Sequence, residues 1–107
     1  MLYQSFTFQN GLIFVRWFIG MFEEEGAEQL KTELVAKLNE KEEGDAIMFD
    51  FSQTPIVINT AFNLLKEICQ LALEKGREVI FVNPSPAMSD FLAISGIEYK
   101  IQDTAPI

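Results

Sequence analysis

Two short, nearly continuous apolar runs, Ala46-Ile47-Met48-Phe49 and Val79-Ile80-Phe81-Val82, flank a segment whose apolar residues recur at helical spacing. Strands with no polar face must be covered on both sides, and a strand-helix-strand order makes them parallel neighbours joined by a crossover. That combination limits the chain to an α/β architecture with a largely parallel sheet. The intervening helix carries Ala61, Leu64, Leu65, Ile68, Leu71 and Ala72 on one face, and Gly76 stands where a helix stop is expected.

The remaining segments extend this core. Tyr3 to Phe8 alternates aromatic and polar residues, Asn10-Gly11 is a strong hairpin signal, and Leu12 to Phe18 is rich in β-branched and aromatic side chains. An N-terminal β-hairpin follows from these features. After Gly20, the spacing of Ala27, Leu30, Leu34 and Leu38 predicts a first helix ending around Asn39 to Gly44, with Glu23-Glu24-Glu25 near its positive end. Asn83-Pro84-Ser85-Pro86 turns the chain into a short helix, Ala87 to Ser95, with Met88, Phe91 and Leu92 inward and Gly96 as its stop. Ile97 to Ile101 supplies a last strand, and the tail Asp103 to Ile107 is expected to fray. The order is β-β-α-β-α-β-α-β: one α/β domain over residues 1–107, with a mixed, mostly parallel sheet of about five strands and helices packed on it.

Composition removes whole classes of function. There is no histidine, so the commonest general base and the commonest zinc ligand are absent. Cys69 is the single cysteine, which excludes an internal disulfide and points to a reducing cytoplasm; its place on the amphipathic helix suits a small buried hydrophobe. The formal net charge is −8, with acid gathered in Glu23 to Glu25 and in Glu40 to Asp45, and the eight Lys and Arg residues form no cluster. Phosphate binding needs a basic stripe, so nucleic acid is not an expected partner. The acidic runs serve solubility or the recognition of a basic partner patch. Gly11 to Phe22 contains the longest apolar run, but Arg16 interrupts it and it is too short to insert in a bilayer.

The stretch Asp50-Phe51-Ser52-Gln53-Thr54-Pro55-Ile56-Val57-Ile58-Asn59-Thr60 passes from strand to helix, a junction that often carries chemistry in α/β proteins. It offers no nucleophile-base pair, no glycine-rich phosphate loop and no second carboxylate for Asp50. An enzyme is not expected, nor is a metal or cofactor. Asn59 reads as a helix N-cap, as a recognition residue, or as both. Phe62 falls off the face of Ala61, Leu65 and Ile68, so it is read as a partly exposed anchor beside Asn63. Ser52 either lines the same rim or is a turn residue near Pro55.

Taken in order, several segments carry a family resemblance. They are Phe49-Asp50-Phe51-Ser52, the helix Ala61 to Glu74 closed by Lys75-Gly76, the strand-turn Val79 to Pro86, and Phe91-Leu92-Ala93-Ile94-Ser95-Gly96-Ile97. The set resembles the STAS domain of bacterial anti-sigma-factor antagonists and of sulfate-transporter tails, and Gly20 to Leu30 resembles that family's Gly-x-Leu-Asp turn and first helix. The resemblance implies a STAS-like fold and a cytoplasmic bacterial signalling protein in transcription regulation. Its partner would be a kinase-like anti-sigma factor. Docking would use Glu23, Glu24, Ser52, Asn59, Thr60, Phe62 and Asn63.

One departure stands out. Counted without a gap from Asp50, the family's Asp-Ser-Ser-Gly falls on Ile58-Asn59-Thr60-Ala61, so Asn59 occupies the phosphoacceptor position. An amide cannot take a phosphoryl group, nor does it carry the charge of about −1.5 to −2 that phosphate adds. Thr60 retains a hydroxyl one position along and is the substitute phosphoacceptor if one exists; it is equally at home as a first-turn residue. The alternative function is a STAS subunit of a lipid-transport ATP-binding cassette system, and a third reading is binding of a nucleotide or other small ligand at this junction. Oligomeric state, monomer or weak dimer, stays open.

Overall fold

Strand β1 (Tyr3–Thr7) and strand β2 (Ile13–Trp17) form the antiparallel hairpin, with Phe6 opposite Phe14. Gly11 turns it at φ 86°, and the Asn10 side chain accepts from the Leu12 amide at 3.1 Å. A computed structural model of the chain describes residues 2–40 and 44–107. The chain continues through β3 (Met21–Phe22), α1 (Glu24–Glu40), β4 (Ala46–Asp50), β5 (Ile56–Val57), α2 (Asn59–Glu74), β6 (Glu78–Val82), α3 (Pro86–Ser95) and β7 (Lys100–Gln102). Of the second acidic run, residues 41–43 lie outside the described residues, as does the end of the first helix beyond Glu40.

The main sheet has the order β1-β2-β4-β6-β7, parallel throughout except for the hairpin. All three helices pack on one face. There Leu30, Leu34 and Leu38 of α1, Leu65, Ile68 and Cys69 of α2, and Met88 and Leu92 of α3 meet Val15, Trp17, Phe49 and Phe81 of the sheet. Burial pushes the Cys69 thiol far above its ordinary pKa, as a core position requires. The opposite face gathers Phe14, Ala46, Met48, Ile80 and Val82 under Phe6, Phe8, Leu12 and Ala105. The runs read as two-sided strands are buried on both faces accordingly.

Two expectations at the C-terminal end are corrected. The last strand starts at Lys100 rather than Ile97, because Gly96 takes a left-handed φ of 76° and the Ser95 hydroxyl accepts from the Ile97 amide at 3.0 Å, which sends Ile97 into the core. The tail does not fray. Asn83 Nδ2 donates to the Asp103 carbonyl at 2.7 Å, Arg16 Nη2 donates to the Ile107 carbonyl at 2.9 Å, and Ala105 packs on the second face.

The sequence reading missed one further element. Strands β3 and β5 pair in parallel as a separate two-stranded sheet, Met21 beside Ile56 and Phe22 beside Val57. This pair brings the segment after Gly20 against the segment that enters α2.

Candidate functional site

A polar network holds the loop from β4 to α2. Asp50 is nearly buried; one carboxylate oxygen accepts from Arg16 Nε at 3.1 Å, and the other accepts from the Ser52 amide at 3.0 Å and its hydroxyl at 2.6 Å. A carboxylate buried with charge-assisted donors on both oxygens is a fixed post for the loop. Ser52 is exposed, but its hydroxyl already donates to Asp50. Farther along, the buried Thr54 hydroxyl donates to the Ile19 carbonyl at 3.1 Å, and its own carbonyl accepts from Ser85 Oγ at 2.7 Å. Ser85 also caps α3, accepting from the Met88 amide at 3.3 Å, so a single hydroxyl ties that helix to the loop.

Pro55 then releases the chain into the short parallel pair. The Ile56 amide donates to the Gly20 carbonyl at 3.1 Å and the Ile58 amide to the Phe22 carbonyl at 3.0 Å. Alternation sends Phe22 and Val57 inward and leaves Met21, Ile56 and Ile58 outward. With Phe18 and Ile19 they form a group of large apolar side chains, each between 38% and 48% exposed. Several exposed hydrophobes gathered by one strand pair are a surface feature of the kind that marks interaction sites. Their signal in the sequence, two residues of alternation on either side, is too short to read as paired strands.

Helix α2 begins where the sequence places it, but its cap differs. Ile58 is the N-cap residue, at φ −83° and ψ 136°, and it makes no side-chain capping hydrogen bond. Asn59 is the first helical residue and exposed, so its reading as the capping side chain is corrected: it sits one position too far along. Thr60 and Asn63 are exposed on the same outer side. Phe62 is not. Only 3% exposed, it packs against Phe91 of α3 with ring centroids 4.9 Å apart and the rings tilted by 34°. Helix α2 packs against the sheet, α1 and α3 together, which widens its buried arc beyond the single stripe inferred from spacing. Phe62 therefore cannot serve as an exposed anchor.

On the α1 side, the Glu23 carboxylate turns back to accept from the Gly26 amide at 3.2 Å, while Glu24 and Glu25 are exposed in the first turn. Glu24, Thr60 and Asn63 line one groove with Lys66 and Glu67. Of the residues inferred from sequence, Glu24, Thr60 and Asn63 are thus brought together, with Asn59 and Glu23 at their edge and Ser52 across the β3–β5 pair. Among the described residues no three His, Cys, Asp or Glu side chains are grouped as a metal site, and no helix is long and apolar enough to cross a membrane.

A five-stranded mixed sheet with three helices on one face, and a short parallel strand pair leading into the second helix, defines a small α/β domain of a recognisable class. The STAS domain family model matches residues 20–106, and the chain belongs to the STAS domain family. The fold is shared with the anti-sigma factor antagonist SpoIIAA in its unphosphorylated form, at a TM-score of 0.77 and 15% identity over 95% of this chain and 89% of that one. A serine-to-glutamate variant of RsbS from Moorella thermoacetica superposes at a TM-score of 0.76 and 19% identity, over 96% of this chain and 87% of that one. The murine anion transporter Slc26a9 matches at a TM-score of 0.63 and 16% identity, over 81% of this chain and 14% of the transporter. No curated protein sequence matches significantly.

Proposed function

We propose that this STAS domain works without catalysis, in the cytoplasm, as a docking module for a kinase-like anti-sigma factor or a related signalling protein. The observation that carries this reading is the β3–β5 pair, which presents Met21, Ile56 and Ile58 beside the exposed first turn of α2. Similarity in fold to anti-sigma factor antagonists supports the choice of partner class. Aromatic and aliphatic anchors at the centre of a polar rim suit binding, and here Asn59, Thr60, Asn63 and Glu24 supply the rim.

The gap-free count from Asp50 supports reading Asn59 as the residue at the family's phosphoacceptor position, and its amide cannot be phosphorylated. Docking through this surface is therefore not released by phosphate at residue 59. The test is to incubate the full chain with ATP and a lysate of its own cells, map phosphopeptides, and identify the co-purified partner. An unphosphorylated chain holding a small kinase-like protein agrees with the proposal. Stoichiometric phosphate on Ser52 or Thr60 defeats the claim of a lost switch, and capture of an ATP-binding cassette subunit moves the function to lipid transport.

A further inference from the structure

Helix α3 carries apolar residues on both its buried and its exposed sides, interrupted by Ser89, Asp90 and Ser95. Its sequence, Pro86-Ala87-Met88-Ser89-Asp90-Phe91-Leu92-Ala93-Ile94-Ser95, buries Met88 and Leu92 and leaves Ile94 84% exposed, Ala93 exposed and Phe91 half-buried. Large apolar side chains left in water on such a helix are a surface feature of the kind that marks contact sites. Ala87, Phe91 and Ile94 follow each other at spacings of four and three, which places them in one stripe. Phe91 meets the buried Phe62 of α2's first turn in a tilted ring contact, and α3 also packs against β5. Exposed Ile94 and half-buried Phe91 thus sit on the helix that packs against β5, the strand that carries exposed Ile56.

Acidic residues outnumber basic ones around this surface, Lys66 in the Glu24 groove being of the other sign. Glu23, Glu24 and Glu25 border it on the α1 side, and Asp90 is the charged residue of α3. Arg16, Lys31, Lys37 and Lys100 are engaged in ion pairs with Asp50, Glu67, Glu33 and Glu78. Lys66 lies in the groove behind Glu24.

We infer that α3 is a second arm of the docking surface, and that this surface takes a protein partner with an apolar centre and a basic rim. The inference rests on the proposed docking function and specifies its partner. A second copy of this chain does not fit, because it would set one acidic rim against another in a chain of net charge −8. Complementary charge steers encounter and sets salt dependence, while the apolar stripe supplies the contact.

The test uses the full chain, isotope-labelled for NMR, and two synthetic amphipathic helical peptides with the same leucine face, one flanked by lysines and one by glutamates. The lysine peptide is expected to shift amides in residues 18–25, 56–60 and 90–94 together, and to bind more weakly as salt rises. Ile94→Glu should weaken it about tenfold, as loss of an anchor does, and Glu24→Lys should slow its association and flatten the salt dependence. Equal binding of both peptides, shifts that avoid residues 90–94, no effect of Ile94→Glu, or self-association abolished by that variant would each overturn the inference. Because the probe is not the natural partner, these outcomes are independent of whether Asn59 governs a switch.

Discussion

Met21 and Ile56 stand side by side in the parallel pair that links the Gly20 segment to the entrance of α2, and both project outward. Side chains held there contribute less to folding than core residues, since Met21 is 39% and Ile56 48% exposed. Ile56→Asp is thus expected to cost about 1–2 kcal/mol, well short of a core substitution, while weakening partner binding of the folded chain about tenfold or more. Urea unfolding together with a binding isotherm checks both halves.

Asn59 is outside the N-cap position, and its amide caps nothing. Asn59→Ala should therefore cost less than about 0.5 kcal/mol, whereas removal of a true capping side chain costs about 1 kcal/mol. By contrast, Ser85→Ala removes both the cap of α3 and the bond to the Thr54 carbonyl, and should cost about 1–3 kcal/mol. Denaturant titration of the two variants in parallel distinguishes them.

Phe62 illustrates why exposure must be established before a residue is assigned to an interface. Its ring is buried against Phe91, so Phe62→Ala should lower stability by about 3–5 kcal/mol. Loss of binding in that variant would report unfolding, which circular dichroism melting would show directly.

Gly26 lies in the first turn of α1 under the indole of Trp17; a Cβ there would come within 2.6 Å of the ring. The ring itself is held, because its Nε1 donates to the Met21 carbonyl at 3.1 Å. Gly26→Ala should destabilise by about 1–3 kcal/mol, the usual cost of overpacking, despite alanine's better helix propensity. A fall in the urea midpoint, with the tryptophan fluorescence altered, is the expected result.

The cluster of Tyr3, Ser5, Glu33 and Lys37 predicts two pH limits. Tyr3 donates to Glu33 at 3.0 Å, and burial, that bond and the carboxylate charge push its phenol up to about 12. Burial tends to raise Glu33, but bonds from Ser5, Lys37 and Tyr3 and the Lys37 charge outweigh it and hold its carboxyl below the ordinary 4.5. A depressed carboxyl contributes stability that is present above its unfolded value and lost as pH falls through its folded one. A raised phenol contributes below pH 10.0, and that contribution is lost between there and about 12. Tyr3→Phe should flatten the alkaline fall in urea midpoint, and Glu33→Gln the acid one.

Much of the architecture was legible because it rests on long or unambiguous patterns. The two-sided strands around Ile47 and Ile80, the turn at Asn10-Gly11 and the stop at Gly76 each follow from one local rule, and the structure keeps them. What escaped depends on neighbours. The β3–β5 pair is two residues on each side and exists because Ile56 and Ile58 find the carbonyls of Gly20 and Phe22. The orientation of Phe62 is set by α3, which helical spacing within α2 cannot reveal. At the N-terminus of α2, a shift of one residue turns a capping amide into an exposed one, within the ordinary uncertainty of helix boundaries. The tail seemed free because its anchors, Arg16 and Asn83, are remote in sequence.

The most direct test of the account is the affinity of the co-purified partner for three full-length chains, wild type, Ile56→Asp and Asn59→Asp, measured by calorimetry before and after incubation with ATP and cell lysate. The account predicts that Ile56→Asp binds about tenfold more weakly or worse, having lost an apolar anchor, that Asn59→Asp, which adds charge of the rim's own sign, binds no more weakly than wild type, and that incubation leaves wild-type affinity unchanged. Wild-type affinity in Ile56→Asp, weakened binding in Asn59→Asp, or loss of wild-type binding on phosphorylation would contradict it.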